Sequence, residues 1–214
     1  ATLTEEERKT VAQHVEIVQY EKNEQIRNEG EESQYIWMLL SGKVRIFKEG
    51  IGQRMQIIRL LKPYDIFGYR ACTSRDVYNS SASAVEACNL YRLDREIFNQ
   101  LVQTNGALCY QILLMIARDL AVSERQTVNL TQKHIRGRLA ETLITLIKTY
   151  GFEGDGATIA IYMAREDLAN MSNMTTSNAI RTLSQFSSEG LITLDGRKIK
   201  ILDEAELTRI SRLG

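Results

Sequence analysis

Two short runs near the C-terminal end gather hydroxyl, amide and cationic side chains. Thr175, Thr176, Ser177, Asn178 and Arg181 stand in NMTTSNAIRTL, and Arg197 and Lys198 stand in LDGRKIKIL. Hydroxyls and amides donate and accept hydrogen bonds without carrying charge, and Arg adds a planar fork of donors. Set on the outer face of one helix, such groups suit the base edges and phosphates of a nucleic acid.

These residues need a scaffold, and the surrounding pattern supplies one. AREDLANMSNMTTSNAIRTLSQFSSEG reads as two short helices broken at Ser172 and Asn173, where Asn takes the left-handed turn conformation at low cost. Leu168 and Met171 of the first helix face inward, and small Ala169 lets the second helix approach. Ala179, Ile180, Leu183 and Phe186 form the inward face of the second. Thr176, Ser177, Asn178 and Arg181 are left pointing outward, as in a helix that enters the major groove. GATIAIYM reads as a short strand before the pair. LITLDGRKIKIL closes the unit as a hairpin turning at Asp195-Gly196, with Arg197 and Lys198 at its tip. An ordinary helical hairpin on a β-ribbon does not account for four polar uncharged residues opening the second helix.

Upstream, Leu108 to Leu130 has Leu113, Ile116, Leu120, Ser123, Thr127 and Leu130 spaced 3, 4, 3, 4, 3, with no Pro and no internal Gly. That is a helix with a heptad stripe, and periodicity alone fits a core helix and a two-fold seam between copies equally. Arg118, Asp119, Glu124 and Arg125 on its flanks argue against a membrane span. TQKHIRGRLAETLITLIKTYG continues as another amphipathic helix, with Thr131 as its cap and Gly151 as its stop.

Before the long helix the period changes to two. VEIVQYE, QIRNEG, YIWMLLSG, KVRIFKEG, QRMQIIRLL, SSASAVEA and CNLYRLD are short strands separated by Asn23, Gly30, Gly42, Gly50 with Gly52, and Pro63. They describe an all-β roll, which encloses a cavity. Residues 67–82, FGYRACTSRDVYNSSA, interrupt it as a polar loop with a helical turn, and loops on a rigid frame are where binding residues tend to lie. TEEERKTVAQH reads as a leading helix capped by Thr4. DREIFNQLVQTN reads as another, capped by Asp94 and stopped at Asn105 and Gly106.

Composition narrows the function. The 214 residues have 43% hydrophobic content and zero formal charge. Residues 1–50 hold 7 Lys+Arg against 10 Asp+Glu, whereas residues 125–200 hold 10 against 7. DNA affinity therefore has to come from placed contacts and dimerisation more than from bulk charge. Cys72, Cys88 and Cys109 form no CxxC pair and read as reduced, buried small hydrophobes. No signal peptide, lipidation motif or apolar run long enough for a bilayer is read here, which predicts a cytoplasmic protein. His14 and His134 are the only histidines and no His-x-His occurs, so cupin-type metal catalysis lacks its ligands. No nucleophile elbow, P-loop or paired-carboxylate motif points to an enzyme of another kind.

The order β-roll, long helix, winged helix-turn-helix resembles the CRP/FNR superfamily of bacterial transcription regulators over nearly the whole chain. The residues carrying the resemblance are Gly30 and Gly42 in NEGEESQYIWMLLSGKVRIFKEG, KPYDIFG at 62–68, RGRLAETL at 136–143 and REDLANMSNMTTSNAIRTL at 165–183. It implies an α+β fold: an N-terminal β-roll (jelly-roll) sensor over 1–106, a dimerisation helix over 107–130 and a winged helix-turn-helix over 131–214. The sensor–reader boundary then falls near Asn129 to Lys133. It further implies a homodimer joined through the long helices at Leu113, Ile116, Leu120, Ser123, Thr127 and Leu130, on a near-palindromic double-stranded DNA site. Arg165 would contact phosphate, and Thr176, Ser177 and Arg181 would take the base-reading positions. RNA polymerase is a further partner that the family implies; a membrane is not.

The sensor departs from the cyclic-AMP-binding members. In those, Phe-Gly is followed by a Glu for the ribose, and an Arg-Ser pair later holds the cyclic phosphate. Here Gly68 is followed by Tyr69 and Arg70, and the later run is Asn79, Ser80, Ser81. Ser80, Ser81 and backbone N–H groups, with Arg70, could hold an anion, and Arg70 could equally be a solvated or ion-paired surface residue. Ser123 stands where the family's adenine-contacting Thr sits and also in the helix stripe. The expected effector is a small molecule, an anion or a haem-like group, not cyclic AMP, with no cofactor named by the residues. His14 and His134 read as surface or capping residues more than as axial haem ligands, which leaves open a haem ligated by another residue, and there is no N-terminal cysteine cluster. The competing reading is a cyclic-nucleotide-like regulatory module acting on a protein partner.

Overall fold

The computed structural model describes residues 2–74 and 76–213. The expected domain bounds and the polar loop at 67–82 also take in Ala1, Arg75 and Gly214, which lie outside the described residues. The chain divides into two compact units, one of residues 1–48 with 58–123 and the other of 49–57 with 124–214.

In the first unit, α1 (Glu5–His14) opens with a capping box. The Thr4 hydroxyl accepts from Glu7 N–H, and the Glu7 carboxylate accepts from Thr4 N–H. The strands are β1 (Val15–Tyr20), β2 (Gln25–Arg27), β3 (Tyr35–Ser41), β4 (Val44–Glu49), β5 (Met55–Leu61), β6 (Ile66–Phe67), β7 (Ser81–Ala84) and β8 (Cys88–Asp94). They form two four-stranded sheets, β1-β8-β3-β6 and β2-β7-β4-β5, so the expected roll is present. Trp37, Leu39, Val44, Ile46, Leu61, Phe67, Ala82 and Leu90 fill it, with the Trp37 and Phe67 rings stacked 5.4 Å apart. β6 lies inside KPYDIFG, which periodicity could not identify as a strand; it pairs Phe67 with Trp37. Gly42 (φ 87°) ends the β3 turn where a Cβ would meet Ala87 O at 2.5 Å, so no side chain fits.

Three helices complete this part: α2 (Tyr69–Ser74), α3 (Arg95–Thr104) and α4 (Gly106–Gln132), the last running through the division between the units. Asp94 caps α3 as expected, its carboxylate accepting from Glu96 N–H at 2.7 Å. Gly106 does not stop a helix; it starts α4. Asn105 closes α3 and its side-chain oxygen accepts from Leu108 N–H at 2.9 Å, so one residue ends one helix and caps the next. On α4 only Ile112 is fully buried, and Leu108, Met115 and Ile116 pack with it against Ile36, Tyr69, Cys72 and Phe98. Leu113 and Leu120 are each 59% exposed, Ser123 and Thr127 are exposed and Leu130 is half-buried. By length and composition α4 is apolar enough to cross a membrane, contrary to the sequence reading. Asp119 at its middle nevertheless holds an ion pair with Arg59 of β5 at 3.2 Å. Cys72 and Cys88 are buried, and burial pushes each thiol up to about 11; Cys109 is exposed, because it follows the helix period away from the packed face.

The second unit is helical with a β-hairpin: α5 (Ile135–Tyr150), α6 (Arg165–Met171), α7 (Thr176–Ser188), β9 (Ile192–Asp195), β10 (Lys198–Ile201) and α8 (Glu204–Leu213). Its core contains Leu139, Leu143, Leu146, Ile159, Leu168, Leu183, Phe186, Ile192 and Leu207. Gly151 ends α5 as expected, at φ 71°. Thr131 caps nothing: it lies inside α4 and its hydroxyl donates to Thr127 O at 2.9 Å, while His134 is the N-cap of α5. GATIAIYM is not a strand; only Thr158 and Ile159 make isolated bridges, to Lys200 and Phe152. Asp155 dominates there instead, its carboxylate accepting from Ala157 N–H, Thr158 N–H and the Thr158 hydroxyl. The terminal α8, packed on α5, was not anticipated from the sequence.

Candidate functional site

The turn between α6 and α7 is set by three residues. Asn173 adopts φ 48°, the left-handed conformation expected of it. Ser172 is buried, its hydroxyl donating to Leu168 O at 2.8 Å and pairing with the Thr142 hydroxyl at 2.8 Å. Arg138 of α5 donates to Ser172 O (2.9 Å) and Asn173 O (3.1 Å), and also to Lys133 O (3.2 Å) and Leu130 O (3.4 Å) at the end of α4. Helix ends leave carbonyls unsatisfied, and one guanidinium here serves two of them at once. Sequence reasoning quoted Arg138 within RGRLAETL without finding this role, which no local pattern encodes. Met174, 5% exposed, fills the apolar position under the turn; Met171, expected inward, is only half-buried because α6 ends at that residue.

Thr175 is the N-cap of α7, its hydroxyl accepting from Asn178 N–H at 3.3 Å. Thr176, Ser177 and Arg181 are exposed and Asn178 is half-buried. Arg181 donates to the Asn178 side-chain oxygen at 2.9 Å, so the two are paired within one turn. Ala179, Thr182, Leu183 and Phe186 are buried, whereas Ile180 is 48% exposed. The expected inward place of Ile180 is thus a correction. From Ala179 the helix returns to the core after three, four and seven residues, and Ile180 lies a full 100° off that stripe.

In the hairpin, Asp195 pairs with Lys198, so the turn is Gly196-Arg197, one residue later than the expected Asp195-Gly196. Gly196 carries φ 55°, as this tight turn demands. Arg197 and Lys198 are exposed, and the Lys198 ammonium lies 5.5 Å from the centre of the Tyr162 ring. Arg165 reaches the same turn, donating through Nη2 to Gly196 O at 2.6 Å. Its Nη1 is buried with no hydrogen-bond partner among the described residues, and burial lowers its pKa. The structure therefore brings Arg165 to the hairpin turn and pairs Asn178 with Arg181.

Of the positions singled out in the roll, Tyr69, Ser80 and Ser81 are buried and engage partners in the same chain. Gly68 (φ 88°) lies against Trp37, where a Cβ would come to 3.0 Å of the ring. Tyr69 is 2% exposed and donates its phenol to Asp119 Oδ2 at 2.5 Å. Burial and then the Asp119 carboxylate push its pKa up to about 12. Ser80 is buried, and Arg27 donates to its carbonyl (2.6 Å) and its hydroxyl (3.3 Å), the hydroxyl in turn lying 3.4 Å from Asn79 Oδ1. The Ser81 hydroxyl accepts from Glu29 N–H at 3.0 Å. Arg70 and Asn79 are exposed, as is Ser123 on α4.

Arg27 is the residue that sequence reasoning missed. It is 7% exposed, stacked 4.4 Å from the Tyr78 ring centre, with Nε buried and unpartnered among the described residues. Burial lowers its pKa to about 10, and Arg70 is near enough for its charge to act in the same direction. The β2–β7 register shifts between Gln25 and Arg27, so Ile26 and Arg27 are both buried in succession. Strict alternation would have placed Arg27 outside; the bulge turns it in.

Residues 17–105 match the cyclic nucleotide-binding domain family, and residues 137–210 match the Crp-like helix-turn-helix domain. A CRP-like cAMP-activated global transcriptional regulator of Mycobacterium tuberculosis is 23% identical over 203 residues, spanning 94% of this chain and 91% of that protein. The nitrogen fixation regulation protein FixK of Azorhizobium caulinodans is 24% identical over 194 residues, spanning 89% and 77%. Among solved structures, FixK2 from Bradyrhizobium japonicum superposes with a TM-score of 0.83 at 23% identity, covering 92% of this chain and 96% of that one. The c-di-GMP responsive global regulator CLP of Xanthomonas campestris superposes with a TM-score of 0.76 at 19% identity, covering 91% and 96%.

Proposed function

The chain belongs to the CRP/FNR superfamily of transcription regulators, a family of regulators and not of enzymes, and on that premise we propose that it acts as a homodimer reading a near-palindromic DNA site. The observation that carries the reading is α7: an inward face of Ala179, Thr182, Leu183 and Phe186 opposite an exposed face of Thr176, Ser177 and Arg181. Thr176, Ser177 and Arg181 contact bases, Arg181 held in place by Asn178. Thr175 contributes by capping α7. Arg197 and Lys198 take the neighbouring phosphates, and Arg165 supports the wing they sit on. Two copies join along α4 through Leu113, Leu120, Ser123, Thr127 and Leu130, with Ile116 at the inner margin, placing two α7 helices about one DNA turn, ~34 Å, apart.

In functional terms the β-roll sensor takes residues 1–106, the dimerisation helix 107–130 and the reading head 131–214. The roll biases α4 between arrangements, and an effector acts only as far as it binds one arrangement more tightly. Cyclic AMP is a poor fit for that effector: Tyr69 replaces the ribose-binding Glu and is engaged with Asp119, and Ser80 is engaged with Arg27. An effector of this roll displaces Arg27 from Ser80 or binds elsewhere among Gly68, Arg70, Asn79 and Ser81. The protein works in the cytoplasm, with RNA polymerase as a further partner at the promoter.

The test is to incubate purified protein with genomic fragments at physiological salt and sequence what is retained. Enrichment of a near-palindrome supports the reading. No enrichment leaves two readings: an empty sensor that holds the dimer in the wrong geometry, or a regulatory module that acts on a protein and not on DNA.

A further inference from the structure

The outer face of α7 holds one large apolar side chain among the described residues, Ile180, 48% exposed. Isolated exposed apolar residues are common on protein surfaces, and what singles this one out is its setting. On a helix, Ser177, Ile180, Arg181 and Ser184 are neighbours at three and four residues, and Ser177, Arg181 and Ser184 are all exposed. The Thr175 hydroxyl is engaged in the cap, and the Asn178 side chain is engaged with Arg181. The outer face is therefore a small apolar patch bordered by Ser177 and Arg181. Ile180 is β-branched and stiff at χ1, so little rotamer freedom is lost when it docks.

We propose that Ile180 is a specificity-determining residue that selects a thymine by packing on its 5-methyl group. The major groove offers hydrogen-bonding atoms at every base pair, but its one apolar handle is that methyl. A helix that buried Ile180 against any other base edge would desolvate polar atoms with no partner in return. The thymine lies in the same half-site as the base contacted by Arg181, the next residue along the helix. The proposal rests on α7 being the DNA-reading helix, and it adds an apolar reader that hydrogen-bonding patterns cannot reveal.

Deoxyuridine differs from thymidine only by the missing methyl, so it is the probe. An operator recovered by selection is rebuilt with uracil at each thymine in turn, and binding of the full chain is measured. At one thymine per half-site, wild type loses about fourfold in affinity, roughly the value of one buried methylene-sized group, and about fifteenfold when both half-sites are changed. Ile180→Ser binds the thymine and uracil operators alike, while Ile180→Val keeps the preference. Ile180 is half in solvent, so both variants keep the wild-type helical melting curve, which circular dichroism checks. A wild type indifferent to uracil at every position overturns the proposal, as does a preference that survives Ile180→Ser. If selection recovers no operator at all, it is the DNA-reading function itself that has failed.

Discussion

The β-roll and the reading head use polar residues in opposite ways. In the roll, three of the positions implied to hold a ligand face inward and are engaged within the chain, Tyr69 with Asp119, Ser80 with Arg27 and Ser81 with the backbone of Glu29, while Arg70 and Asn79 are exposed. In the reading head, Thr176, Ser177, Arg181, Arg197 and Lys198 stand in solvent, and the interior is mainly apolar, with Leu168, Leu183 and Phe186 at its centre. A polar group turned inward must be satisfied by the fold, so its identity is fixed by neighbours. A polar group turned outward is shaped by whatever the protein meets. In the roll Tyr69, Ser80 and Ser81 serve the fold itself, whereas in the head the outer face of α7 is open to solvent.

The two regions can be separated experimentally because Trp37, the only tryptophan, lies in the roll core. Phe186→Ala should have the largest effect, costing about 3–5 kcal/mol in the head. Helical content should then melt early in urea while the Trp37 emission transition keeps its midpoint; a coincident shift of both would show that the regions unfold as one. Tyr69→Phe removes a hydrogen bond to a carboxylate and should cost about 1.5–3 kcal/mol, this time read by Trp37. No change would mean that the Tyr69–Asp119 contact does not tie α2 to α4. Thr175→Ala, which removes the α7 cap, should cost about 1 kcal/mol in helical melting and weaken specific and random DNA together.

Acid should act on the head as well. Hydrogen bonds from Thr158 and Ala157 N–H hold the Asp155 carboxyl below its ordinary 3.8. Burial pushes Glu141 up, but bonds from Ser211 and Lys133 outweigh it and leave it below 4.5. For carboxylates depressed in the folded state, the stabilisation is complete above the ordinary values and is lost as pH falls through the lower folded ones. Helical melting should hold steady from neutral pH to roughly pH 5 and then fall, less steeply in Asp155→Asn. The smallest expected effect is none: cyclic AMP should leave the Trp37 transition unmoved, since a ligand stabilises only what it binds.

The architecture is legible in the sequence because its signals are periodic: alternating strands, a heptad helix, and two helices broken at Asn173. Legibility fails where tertiary context overrides a local rule. Arg27 was invisible because a bulge reverses alternation, and Gly106 looked like a stop because its preceding Asn105 caps forward as well as back. Ile180 reads as core in the sequence because it is an apolar residue beside Ala179, although the helix angle separates them. Arg138 was legible as part of a motif, but its four carbonyl partners come from segments that only the fold brings together.

On the proposed function, two α7 helices read two matched half-sites. Its most direct test is equilibrium binding of the purified chain to a selected near-palindrome, to the same site with one half scrambled, and to random DNA, with Arg181→Ala alongside wild type. Scrambling one half should cost wild type most of its specific affinity. Arg181→Ala should lose about 1–3 kcal/mol on the intact site and far less on random DNA. Equal binding of wild type to all three DNAs, or an equal loss by Arg181→Ala on each, would rule out two-fold base reading by α7.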